Sequence, residues 1–199
     1  MSVLKTRRQQ RVHAQLAQLA LPRWSKGGAT DRLFLAVVPP AEVAERIARL
    51  ARHLRIGHEL RGKPLAPEHF HVTLCPLGDG VGVPPELVTL ATERAAGIAM
   101  PSFKVAFDRV GSFRNGAFVL RGDDSTIGLE ILQQRLSDAL DGRPRPARPF
   151  TPHLTLLRDR HLVPEHDISP IEWEVREIVL VHSLLGRTVH RHLARVPLA

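Results

Sequence analysis

Two short segments hold the side chains best placed to do chemistry. Phe70-His71-Val72-Thr73-Leu74 in the first half of the chain returns as Pro152-His153-Leu154-Thr155-Leu156 in the second. Each follows a proline-containing approach, Pro67-Glu68-His69 and Pro149-Phe150-Thr151. Side chains alternate between the faces of a strand, so His71 and Thr73 share one face while Val72 and Leu74 share the other. The same alternation sets His153 and Thr155 against Leu154 and Leu156. Each strand buries an aliphatic pair and presents an imidazole beside a hydroxyl. Imidazole titrates near neutrality, which lets two of them divide the roles of proton acceptor and proton donor. A threonine hydroxyl two residues along can donate to an anionic oxygen that the neighbouring imidazole also approaches. Two such couples facing one cleft could grip a phosphodiester from both sides. One histidine would draw a proton from water and the other would protonate the departing oxygen, while the bound phosphate favours protonation of one ring. The scheme needs neither metal nor cofactor. Neither histidine has the helical H-x-x-x-H spacing or the neighbouring cysteines of a zinc site.

Positioning these groups calls for strands backed by helices. Leu33 to Val38 reads as a buried strand, closed by Pro39-Pro40. Residues 40–54 place Val43, Ile47, Leu50 and Leu54 at helical spacing, and residues 84–99 do the same with Leu87, Leu90 and Ala91. Ile127 to Leu140 supplies another amphipathic helix through Leu129, Leu132, Leu136 and Leu140. Strands are expected over 70–77, 102–107, 117–121, 153–157, 174–182 and 189–196. A turn, Gly111-Ser112-Phe113-Arg114-Asn115-Gly116, joins the second and third of these. A short helix is expected over 8–20, through Val12, Leu16 and Leu19, and 142–149 reads as an irregular connector. Strands and helices therefore mix in an α+β pattern.

Composition excludes other classes. The 199 residues are 43% hydrophobic and 24% charged, which is globular usage. No apolar run approaches the ~18 residues a spanning helix needs, and the basic N-terminus makes a poor signal peptide. The single cysteine, Cys75, rules out a disulfide within the chain, so a reducing, cytoplasmic setting is expected. The net charge is +8, and residues 1–30 carry six of it through Lys5, Arg7, Arg8, Arg11, Arg23 and Lys26, without an acid. Such an arm can raise encounter rates with a polyanion, or can simply be a solvated tail.

The two His-x-Thr strands, with the Arg32-Leu33-Phe34-Leu35-Ala36-Val37 opening and the closing Leu180-Val181-His182-Ser183-Leu184-Leu185 and Ala194-Arg195-Val196-Pro197-Leu198, resemble the two-histidine (2H) phosphoesterase superfamily. Within it they most resemble the bacterial and archaeal RNA 2′,3′-cyclic phosphodiesterases of the LigT type. The resemblance covers residues 31–199 and implies one bilobal catalytic domain behind a basic extension, residues 1–30. It implies an α+β fold with pseudo-twofold symmetry, two antiparallel sheets lining a central cleft and helices outside, acting as a monomer. The implied activity is metal-independent opening of a 2′,3′-cyclic phosphate, on RNA ends or nucleotides, to a 2′-phosphomonoester, with weak reverse ligation of RNA ends. By the same resemblance His153 activates water, His71 protonates the leaving 3′ oxygen, and Thr73 and Thr155 hold phosphate oxygens. Phe113 and Arg114 correspond to an aromatic and a basic residue near the substrate. The chain departs from the family at His190, where a tyrosine is frequent; it contains no tyrosine at all.

Strict alternation makes further assignments. Arg158 falls with Leu154 and Leu156, away from His153, unless a twist after Leu157 re-aims it. Cys75 falls on the face of His71 and Thr73 as a packing residue near the cleft. His69 either edges the cleft or is solvated, and Trp24 and Trp173 are packing residues. Two other functions fit the same residues: a non-catalytic module binding RNA ends, and a 2H-type exonuclease or phosphodiesterase for another small phosphodiester.

Overall fold

The apolar run after residue 30 forms β1 (Asp31–Val37), whose residues from Leu33 onward are buried on both faces. The computed structural model describes Trp24, residues 28–142 and residues 149–199. The helix expected over 8–20, most of the basic extension and most of the 142–149 connector lie outside these residues. Helix α1 (Ala41–Gly57) follows, burying Val43, Ala44, Ile47, Ala48, Ala51 and Leu54 along one face. A single 3-10 turn at Pro67–His69 leads into β2 (Val72–Gly80), and α2 (Pro85–Ala96) packs Leu87, Ala91 and Ala95 inward. Strands β3 (Phe103–Ser112) and β4 (Ala117–Arg121) form the expected hairpin. Helix α3 (Ile127–Asp141) buries Leu129, Leu132, Leu136 and Leu140. Four strands complete the chain: β5 (His153–Arg158), β6 (His166–Val175), β7 (Glu177–Leu184) and β8 (Val189–Pro197). Among the described residues, no helix is long and apolar enough to cross a membrane.

The strands make two four-stranded antiparallel sheets, ordered β2-β1-β7-β8 and β5-β4-β3-β6. Each sheet contains the same unit, a central strand, a helix and an edge strand: β1-α1-β2 in one, β4-α3-β5 in the other. The His-x-Thr segments open the two edge strands, β2 and β5, and those edges lie against each other. One hydrophobic core runs through both halves and includes Val72 and Leu74 from the first motif and Leu154 and Leu156 from the second. A smaller cluster, Phe34, Ala36, Val179 and Val181, lies apart from that core and presents Phe34 to His71.

One strand differs from expectation. The stretch read as a strand over 174–182 is divided: Glu174 and Val175 end β6 in the second sheet, and β7 begins at Glu177 in the first. The chain changes sheets at Arg176. Strand β6 escaped notice because Pro170 and its acidic residues interrupt the pattern. As an edge strand paired only with β3, it tolerates a proline and buries just Ile171, Trp173 and Val175. Trp173 stacks on Phe107 with ring centroids 5.2 Å apart, in the packing role expected of it.

Candidate active site

The two motifs share a backbone device. The His71 ring Nδ1–H donates to the His69 carbonyl at 2.8 Å, and the His153 Nδ1–H donates to the Thr151 carbonyl at 2.7 Å. A carbonyl can only accept, so both protons sit on Nδ1 and each Nε2 stays free. In both cases the acceptor lies two residues upstream, on the extended approach after the proline. His71, Thr73, His153 and Thr155 line one cleft of about 950 Å³.

Each motif is followed by an irregularity in strand pairing. Between β1 and β2, Leu35 pairs with Cys75 and Ala36 with Thr73, passing over Leu74. Between β4 and β5, Phe118 pairs with Leu157 and Val119 with Thr155, passing over Leu156. A bulge adds one residue and so reverses which face each later side chain takes. Leu74 and Cys75 are therefore both buried, as are Leu156 and Leu157, and the next residues, Pro76 and Arg158, emerge on the cleft side. This corrects two assignments made from strict alternation. Cys75 leaves the face of His71 and enters the core, its Sγ 3.8 Å from the Gln133 carbonyl and 3.6 Å from Ser137 Oγ. Burial pushes its thiol up to about 11, leaving it inert as a nucleophile. Arg158 turns onto the cleft wall beside Thr155.

The surroundings of the two histidines differ. His71 lies between Phe34, at 4.9 Å, and His190, at 5.2 Å between ring centroids. His190 also meets His69 edge to face at 4.8 Å and Phe34 at 5.9 Å. His69 is buried rather than solvated, and its Nδ1 has no hydrogen-bond partner. Burial foremost lowers the pKa of His71, followed by repulsion from the charged forms of His153, His69 and His192. The His69 carbonyl opposes this by accepting from the ring. Burial, with His71, His69 and His192 nearby, pushes His190 down to about 4. These effects disfavour the charged forms of His71 and His190, and an anion entering the cleft would act in the opposite direction. Although His69 and His71 are two residues apart, no three potential metal ligands converge among the described residues.

His153 sits nearer solvent, in a T-shaped contact with Phe113 whose ring centroid is 4.9 Å away. Arg121, paired with His153 in strand register, places its guanidinium 5.9 Å from the Phe113 ring centroid and pairs with Glu165. Arg114 is exposed at the tip of the turn and lines no part of the cleft, so the cation beside Phe113 is Arg121.

Further cleft residues came from outside the motifs. Phe34 and His190 belong to neighbouring strands, and Lys63 to the loop after α1. Arg32 donates twice to the Asp79 carboxylate, at 2.8 and 2.7 Å, so its charge is already compensated. Lys63 and Arg158 pair with no carboxylate among the described residues, which leaves them available to an anion. Arg32 and Phe34 are placed on β1 by the apolar run, and the family resemblance marked His190, whereas Lys63 and Arg158 depend on loop path and register.

Comparison with known proteins gives a consistent outcome. The sequence profile of the 2′-5′ RNA ligase superfamily matches residues 38–187. The chain is 34% identical over 134 residues to the RNA 2′,3′-cyclic phosphodiesterase of Escherichia coli (strain K12), covering 65% of this chain and 72% of that protein. The crystal structure of E. coli LigT complexed with 3′-AMP superposes with a TM-score of 0.67 at 31% identity, covering 85% of this chain and 98% of LigT. A second crystal structure, of a phosphoesterase, gives 0.68 at 30% identity over 85% and 99% of the two chains. A Thermus thermophilus protein gives 0.59 at 26% identity over 84% and 97%.

Proposed function

Since the chain belongs to the 2′-5′ RNA ligase superfamily, the family of the two-histidine phosphoesterases, we propose that its cleft hydrolyses 2′,3′-cyclic phosphates, on RNA ends or nucleotides, to 2′-phosphomonoesters. The observation that carries this reading is the mirrored pair of His-x-Thr strands, each with its Nδ1–H tied to a backbone carbonyl and its Nε2 free, lining one cavity.

The phosphate sits between the two couples, with the Thr73 and Thr155 hydroxyls donating to its non-bridging oxygens. Lys63 and Arg158 add charge-assisted contacts. His153 Nε2 takes a proton from water as the water oxygen attacks phosphorus. The bond from phosphorus to the 3′ oxygen breaks, and His71 Nε2–H gives that oxygen its proton. The new ester remains on the 2′ oxygen. Net, water adds across one P–O bond, and the two imidazoles end with exchanged protonation states, reset through solvent. His71 suits the donor role because the phosphate anion counters the burial and the repulsion that otherwise disfavour its charged form. It gains its proton when substrate is seated. Both proton transfers are supplied by side chains of the chain itself.

The test is turnover of a 2′,3′-cyclic nucleotide in the presence of a metal chelator, with identification of the product isomer. The expected product is the 2′-phosphate, and formation should be lost in His71→Ala and in His153→Ala. Undiminished turnover in both variants would overturn the assignment.

A further inference from the structure

Strand register sets a row of charged side chains across the second sheet, with His153 at one end. His153 on β5 pairs with Arg121 on β4, Arg121 with Arg109 on β3, and Arg109 with Asp167 on β6. Directly opposed residues in a sheet project from the same face, so all four side chains share the face that carries His153. Two arginines opposite each other on adjacent strands would repel, and carboxylates interleave with them. Glu165 pairs with Arg121 and lies 3.8 Å from Arg109, which also pairs with Asp123 at 2.6 Å and with Asp167 at 3.6 Å. Glu165 reaches this face because β3 has no side chain at Gly111, where a Cβ would lie 3.1 Å from the Glu165 Cα.

Arg121 touches the site through one ring. Its guanidinium lies 5.9 Å from the Phe113 centroid, and Phe113 makes the T-shaped contact with His153. Arg121 Nε is buried without a hydrogen-bond partner among the described residues, so Glu165 and the Phe113 ring fix this guanidinium in place of a full set of hydrogen bonds. Arg121 does not line the cleft itself. The other charged and titratable groups around His153 are Arg158 on its own strand, Lys63 from the loop after α1 and, on the opposite wall, His69, His71, His190 and the Arg32–Asp79 pair.

We propose that Arg121 is a positioning residue for His153: its guanidinium braces Phe113 against the imidazole, while Glu165 cancels its charge beside the ring that takes the proton from water. The inference rests on the reading above, in which His153 is the base. A lone cation at this register position would oppose the charge that His153 gains with its proton, and a lone carboxylate would favour it. The ion pair supplies the brace with neither effect. Removing one partner or the other should therefore act in opposite directions on the same ring, which a general loosening of structure would not do.

The experiment follows the His153 ring by NMR pH titration in wild type, R121Q, E165Q and R121Q/E165Q. Steady-state kcat and KM are measured in parallel on a 2′,3′-cyclic mononucleotide, with circular dichroism to check folding. E165Q should move the His153 midpoint down by about half a pH unit and R121Q should move it up by about as much, the worth of one partly screened neighbouring charge. The double variant should return it to the wild-type value. In R121Q and in the double variant, which lack the brace, kcat should fall about tenfold while KM stays within about threefold. R121K keeps the charge without the planar guanidinium, so it should hold the midpoint and recover only part of kcat. E165Q and R121K, which both keep a cation in place, carry the test if R121Q does not fold. Midpoints that stay together in R121Q and E165Q, or move the same way, would overturn the proposal and leave the hydrolase reading intact. An unchanged kcat in R121Q would do the same. Absence of turnover in wild type would overturn the hydrolase reading itself.

Discussion

The two halves use one backbone device in unequal settings. His71 and His153 are each aimed by a bond from Nδ1 to the carbonyl two residues upstream, and each strand bulges one residue past its threonine. The residue delivered by the bulge is Pro76 on one side and Arg158 on the other. His71 lies between the rings of Phe34 and His190, while His153 meets the ring of Phe113 and solvent. Repetition fixes the geometry of a two-sided grip, and burial among its neighbours lowers the pKa of His71. At the positions after the bulges the charge is one-sided, since Pro76 carries none while Arg158 pairs with no carboxylate among the described residues.

The largest test of that comparison is removal of either imidazole. His71→Ala and His153→Ala should each lower kcat by about 10³-fold, within the ~10²–10⁴ range of a general acid or base. The double variant should be little worse than either single one, as measured by steady-state kinetics with circular dichroism to check folding. Next is the post-bulge pair. Arg158→Ala should raise KM by roughly 10- to 100-fold, the worth of a charge-assisted bond, whereas Pro76→Ala should leave it within about threefold. Equal effects would show that the charge asymmetry is unimportant. Thr73→Ala and Thr155→Ala should each cost about tenfold in kcat/KM, equal within a factor of a few, since the threonines occupy matched positions.

The pH profile sharpens the electrostatic difference. His71 must be protonated to act as the acid, and its pKa is lowered in the empty cleft and raised by a bound anion. The alkaline limb of kcat, which reports the complex, should lie at higher pH than that of kcat/KM, which reports the free enzyme. Coincident limbs would contradict the account. In His153→Gln, His71 should titrate higher than in wild type by ring NMR, because an opposing charge is gone. The smallest effect is expected at Cys75, whose buried, raised thiol should resist alkylation and leave activity unchanged under native conditions.

Much of this was legible in the chain. The unbroken apolar run from Leu33 and the 3.6-residue patterns around Ile47, Leu87 and Leu129 predicted the central strand and the helices, because a strand buried on both faces is apolar throughout while a helix buries one face. The repeated His-x-Thr identified the four side chains that line the cleft. Strand β6 was not legible, since an edge strand needs to bury only one face and can carry Pro170. Cys75 and Arg158 were misplaced for one reason: alternation assumes an unbroken ladder, and a bulge reverses it.

The sequence by itself determined which residues pair imidazole with hydroxyl and which elements carry them, since both follow from local spacing. Tertiary structure decided what surrounds each pair. Register brought Arg158 to the cleft and Cys75 into the core, and sheet pairing set His190 against His71 and Arg121 beside His153. These depend on contacts between segments distant in the chain, whose alignment no local pattern encodes.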